Sequence, residues 1–139
     1  MTSRRQLLAA VSTVQLASGV LGLPIAVKNR RPSNPYVVNL NLSSEHLARD
    51  QMVMGTARSA PGLMLVTQAV ATIALWRQPS HRATKTLHVL GLVMTFGYLV
   101  ERESPLLPAH ADRLSTPLMA VGLGGAALMA WLGSPDAAA

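Results

Sequence analysis

Long apolar runs alternate with short polar, proline-bearing segments along this chain. The runs are Gln6–Val27, about Met52–Trp76, Ala83–Val100 and Ser115–Leu132. A helix needs about 20 apolar residues to cross ~30 Å of hydrocarbon. The first and fourth runs meet that without a single charge. The uncharged part of the third, Thr86–Val100, is short. It reaches spanning length when extended back through Ala83, with Lys85 near one end and able to snorkel. Gly62–Trp76 is also uncharged and also short. It needs a turn or two from Met52–Pro61, which brings Arg58 to the interface or against the other helices. Pro61 removes a helical donor, so a helix start or a kink is expected there.

These runs predict an all-α fold: a four-span antiparallel transmembrane helix bundle, forming one membrane-embedded domain over residues 1–139. Four spans put both termini at one end, together with the loop Arg77–Lys85. Lys28–Gln51 and Glu101–Leu114 connect spans at the other end. Trp76 and Trp131 close the second and fourth spans at the terminal end, where interfacial aromatics belong. Ser115 or Thr116 can cap the fourth helix, with Pro117 tolerated in its first turn. Ser18, Gly22, Gly91, Gly97, Gly122, Ala126 and Ala130 supply the small surfaces that let helix backbones approach in lipid.

Composition sharpens this picture. Only 13% of residues are charged, against about a quarter in soluble domains. The net charge of +6 does not indicate nucleic acid, because the basic residues flank the spans and are not interleaved with exposed aromatics. With no cysteine, disulfides, thiolate metal sites and cysteine nucleophiles are excluded. Ser3-Arg4-Arg5-Gln6 ahead of an apolar run has the look of an export signal. The run exceeds a signal core and no small-x-small cleavage site follows, so a retained helix is expected. The chain is therefore expected in the cell membrane as a multi-pass protein. The acid-free loop Arg77–Lys85 points to cytoplasmic termini.

Candidate chemistry collects in two places. At the non-terminal end, Glu45, Asp50, Glu101, Glu103 and Asp112 cluster with His46, Arg49 and His110. Helical spacing puts His46 and Asp50 on one stripe, and Tyr98 and Glu101 on another. A carboxylate pair of Asp50 and Glu101, assisted by His46 and Tyr98, suits general acid–base catalysis on a lipid-soluble substrate. The alternative is structural: Arg49 or Arg102 pairs with Asp50 or Glu101 and clamps two helix ends. Arg49 is also a candidate ligand contact. Deeper in the membrane, Gln15 and Gln68 lie at similar depth in antiparallel helices, with Thr67, Thr72 and Thr95 in the same region. They read either as a small polar ligand pocket or as interhelical hydrogen bonding. His88 stands alone among the spans, so paired-histidine haem ligation is not expected. No metal-ligand spacing, phosphate loop or serine elbow appears, and no cofactor is expected.

Arg49-Asp50 with Gly55 opening the second span, and Gly97-Tyr98-Leu99-Val100-Glu101 closing the third, resemble the small four-helix membrane proteins grouped as DoxX-like. The resemblance covers the hydropathy pattern and the central half of the chain, and it implies the same four-helix architecture. A small multidrug exporter also has four spans, but Gln15 stands where that family carries a proton-exchanging glutamate. Two functional readings follow. The leading one is a non-catalytic small membrane protein, either a partner subunit (homo-oligomer or membrane-protein complex) or a binder of an apolar small molecule. The alternative is a membrane isomerase, hydrolase or cyclase of a lipid-soluble metabolite, working through Asp50 and Glu101.

Overall fold

The computed structural model describes residues 3–28, 62–100, 113 and 115–135. They form four helices, and no strand occurs among the described residues. The helices are α1 (Arg4–Lys28), α2 (Gly62–Arg77), α3 (His81–Val100) and α4 (Ser115–Gly133). The expected extension of the second span through Met52–Pro61 lies outside the described residues, as do Arg58 and, apart from residues 28 and 113, both connections at the non-terminal end.

Local chemistry sets the helix ends. Ser3 and Gln6 form a reciprocal cap at the start of α1. The Ser3 Oγ accepts from the Gln6 N–H at 3.3 Å, and the Gln6 Oε1 accepts from the Ser3 N–H at 3.0 Å. Past Arg77, Pro79 cannot continue a helical ladder. Ser80 then caps α3, its Oγ accepting from the Ala83 N–H at 3.2 Å. At the far end of α4, the Arg4 guanidinium donates to the Ser134 carbonyl. That contact ties the first helix to the end of the last one and places a cation at a helix C-terminus, where the macrodipole favours it.

Each helix packs on its neighbours in sequence, and α4 closes the ring against α1, while α1 and α3 touch little across the diagonal. Side-chain pairing gives the directions. Ser12 meets Thr72 and Gln15 meets Gln68, so α2 runs opposite to α1. His88 meets Ala130, and Gly91 abuts Ala126 and Ala130, in antiparallel order. Gly125 meets Gln15, and Arg4 meets Ser134, giving the same relation between α1 and α4.

The backbones of α3 and α4 approach tightly at Gly91. A Cβ there would sit 2.5 Å from the Ala130 nitrogen and 2.7 Å from the Ala126 oxygen. Only glycine permits that approach, so Gly91, Ala126 and Ala130 form the packing seam expected of small residues. Gly97 does not belong to it; its position opens onto space.

The interior has an apolar–polar–apolar order along the bundle axis. Leu8, Leu75, Leu87, Met129 and Leu132 belong to a cluster near the terminal end. Leu65, Met94 and Ala126 form another towards the opposite end. Buried Ser12, Gln15, Gln68 and Thr72 lie between them. The outside is the reverse of a soluble protein's: Leu63, Val66, Val70, Ile73, Phe96 and Leu99 are all exposed, up to 68% for Leu63. His81–Val100 and Thr116–Gly133 are long and apolar enough to cross a membrane by length and composition. The described part of α2 is shorter, with 16 residues. The helix α1 is longer, at 25 residues, and carries Ser12, Gln15 and Ser18 within its apolar run. Those three side chains point inward, and Val14, Val20 and Leu21 face out.

Candidate functional site

The polar layer has a determinate hydrogen-bond order. The Gln68 side-chain nitrogen lies 3.0 Å from the main-chain carbonyl of Ser12. A carbonyl can only accept, so the Gln68 atom facing it is Nε2. The same nitrogen is 2.6 Å from the Gln15 amide, which must therefore present Oε1. Gln15 Nε2 is thereby turned towards the Met94 sulfur, 3.6 Å away. A single backbone group thus fixes both glutamines.

The hydroxyls extend this order. Thr72 donates its one proton to the Gln68 main-chain carbonyl at 2.7 Å. Ser12, 2.7 Å from Thr72 Oγ1, must then be the donor in that pair. The Ser12 oxygen is left to accept, at 3.1 Å, a share of the Gln68 Nε2 proton that also faces the Ser12 carbonyl, because the other proton goes to Gln15. The result is a closed cycle from the Gln68 side chain through Ser12 and Thr72 to the Gln68 backbone. In a low-dielectric interior such cycles reinforce one another. One acceptor remains outside it: Gln68 Oε1 is buried without a hydrogen-bond partner.

Tyr98 joins this layer from the non-terminal side. Its side chain lies beside that of Gln15. Its hydroxyl lies against Gly122, 2.8 Å from where a Cβ would stand, with the Ser18 Oγ 3.6 Å from the same point. Ser18 itself bonds back to the Gln15 carbonyl at 2.7 Å. Thr67 and Thr95 stay out of the layer. Each bonds to its own helix, Thr67 to the Leu63 carbonyl and Thr95 to the Gly91 carbonyl. His88 Nδ1 donates to the Ala130 carbonyl at 2.6 Å, so this lone histidine ties α3 to α4.

Of the residues named from sequence, Gln15, Gln68 and Tyr98 come together. His46, Arg49, Asp50 and Glu101 lie outside the described residues, as do all 6 acids of the chain. The described layer consists of amides, hydroxyls and thioethers. Such groups orient a polar ligand or hold helices in register, and none of them is a base strong enough to activate a nucleophile. Among the described residues, no group of three potential metal ligands occurs.

Sequence reasoning missed two features. Ser12 is central to the polar cycle, but a serine in an apolar run reads as a packing residue. The other feature is an outward-facing groove of about 400 Å³ between α1 and α4. Ala10, Val11 and Val14 form one wall, and Val121, Gly124 and Leu128 form the other. Its one sequence signal is Gly124, whose missing side chain no neighbour requires: a Cβ there would meet nothing within 4 Å.

No protein family, curated protein or solved structure matches this chain.

Proposed function

We propose that the chain is a four-span, non-catalytic protein of the cell membrane that holds an apolar ligand in the groove between α1 and α4. The carrying observation is the inverted polarity: Gln15 and Gln68 are 0% exposed, whereas Leu63, Val70, Phe96 and Leu99 are more than half exposed. In water this arrangement forfeits apolar burial on one side and desolvates amides on the other. In lipid both costs vanish, since apolar side chains meet hydrocarbon and polar groups meet each other. The groove then opens onto acyl chains. Its size fits the usual range for small-molecule sites, and its walls offer dispersion contacts without a polar group.

The enzymatic alternative rests on Asp50, Glu101 and His46, and no described feature favours it. The kinship with DoxX-like proteins is part of the same proposal and rests on sequence alone.

Gly124→Leu tests the groove directly. The new side chain enters open space, so the fold is expected to persist while the groove fills. Purified wild-type protein should carry a co-purifying lipid-soluble molecule that Gly124→Leu loses. Val70→Leu, on the outer face of α2, should keep it. Equal retention by both variants would end the proposal.

A further inference from the structure

We propose that the groove takes a headgroup-free, methyl-branched hydrocarbon of the isoprenoid type, held at the middle of the bilayer. This rests on the apolar-ligand reading above and names the class of ligand.

Depth argues against a headgroup. On α4 the lining residues run from Val121 to Leu128. Val121 follows Ser115 by six positions, and Leu128 precedes Gly133 by five. At ~1.5 Å per residue, the groove begins about 9 Å from one end of α4 and stops about 7.5 Å from the other. It is therefore centred on a helix long enough to cross a membrane. On α1, the wall residue Ala10 likewise lies about 9 Å inside Arg4. A lipid anchored at either surface would leave its polar part and the first part of its chain outside these walls. A molecule held along its whole length has no headgroup.

The walls agree. Every lining residue is alanine, valine, leucine or glycine. The floor is closed at Gly125, where a Cβ would stand 2.7 Å from the Gln15 Cβ and 2.8 Å from its Cγ. Even the glutamine therefore turns methylenes towards this floor, while its amide is held by Gln68 at 2.6 Å. A hydroxyl or carbonyl placed among these walls would find no hydrogen-bond partner there.

Width selects branching. Spread over a length of about 10 Å, the volume of about 400 Å³ corresponds to a cross-section of about 40 Å². An extended methylene chain, about 4 Å wide at van der Waals contact, fills less than half of that. Unfilled space forfeits dispersion contacts, which carry the attraction where lipid already surrounds both partners. Methyl branches fill it. Gly124 supplies a place for one: a Cβ there meets nothing within 4 Å, so a ligand methyl can take the room of the missing side chain.

The test uses the full chain in phosphatidylcholine nanodiscs, with empty nanodiscs as the blank. Both are equilibrated with pristane, a methyl-branched isoprenoid alkane, or with n-pentadecane, its unbranched backbone. Alkane retained after the discs are re-isolated is counted by gas chromatography. Pristane is expected above the blank, at roughly fivefold the occupancy of n-pentadecane. Gly124→Leu should bring pristane down to the blank, whereas Val70→Leu should not. Gly124→Ala puts a methyl of the protein where the ligand's branch would lie. It should erase the preference while n-pentadecane still binds.

Equal binding of the two alkanes to the wild type overturns the branched class. Should Gly124→Leu fail to fold, Gly124→Ala decides, and an undiminished preference overturns the assignment. A phospholipid that co-purifies with the wild type and is lost from Gly124→Leu, with neither alkane above the blank, would make the occupant an anchored acyl chain. That overturns this inference and leaves the groove reading standing. The underlying reading fails separately: if neither alkane binds and Gly124→Leu changes nothing that co-purifies, the groove holds no apolar ligand.

Discussion

Gln68 donates its side-chain amide to the main-chain carbonyl of Ser12 across 3.0 Å, and this bond orients the polar interior of the bundle. With a backbone acceptor on one side, Gln68 cannot flip. Gln15 inherits its orientation through the 2.6 Å contact between the two amides. The pair couples α1 to α2 at a depth where neither amide has water to turn to.

That coupling is measurable. A double-mutant cycle of Gln15→Ala and Gln68→Ala, with reversible unfolding in mixed micelles, should give an interaction of about 0.5–1.5 kcal/mol, the range of interhelical hydrogen bonds in membranes. Ser12→Ala should also couple to Gln68→Ala, because it breaks the cycle through Thr72. Additive effects throughout would mean that the two amides act independently.

Three glycines should respond in opposite senses. Gly91→Ala pushes a methyl into the Ala126 and Ala130 backbone, which has no rotamer by which to yield. The α3–α4 pair must separate, at a cost of about 1–3 kcal/mol. Gly97→Ala and Gly124→Ala meet nothing within 4 Å. Each should stabilise its helix by about 0.5–1 kcal/mol through backbone entropy. Thermal unfolding of the three variants in one detergent separates the two behaviours.

These cases show what was legible in the sequence. Each described helix contains an uncharged run, and α4 (Ser115–Gly133) differs from the expected Ser115–Leu132 by one terminal residue. The Gln15–Gln68 contact was legible because two amides at one depth in an apolar bundle have few other partners. Tyr98 was harder. Its spacing to Glu101 suggested the connection end, but long side chains on a helix lean back towards the N-terminus. Its hydroxyl accordingly reaches into the bundle, to Gly122 and Gln15. The bond from Arg4 to Ser134 joins residues 130 positions apart and leaves no local signal.

His88 offers a spectroscopic check on the α3–α4 seam. Its Nδ1 faces the Ala130 carbonyl at 2.6 Å, and a carbonyl can only accept, so Nδ1 must carry a proton. Nitrogen-15 spectra of the imidazole should show a protonated Nδ1 whether the ring is neutral or charged. A neutral ring protonated at Nε2 alone would break the bond as described. His88→Phe should lose it outright and loosen the end of α4, where Gly133 packs against the His88 Cβ.

The membrane reading and the direction of insertion can be tested together, because the chain has no native cysteine. Single cysteines at Val70 and Phe96 would lie on outward faces of α2 and α3. Thiolates form poorly in hydrocarbon, so a water-soluble maleimide should leave both unlabelled until detergent is added. Gln78→Cys, in the turn between α2 and α3, should react readily. With cytoplasmic termini, that turn is cytoplasmic as well, since it shares an end of the bundle with Arg4 and Ser134. Labelling of Gln78→Cys should then occur in inside-out vesicles and fail in intact cells. Labelling in intact cells would reverse the orientation and put Arg4 and Ser134 at the outer surface. Rapid labelling at Val70 and Phe96 without detergent would show that water covers the apolar exterior, and the membrane reading would fall.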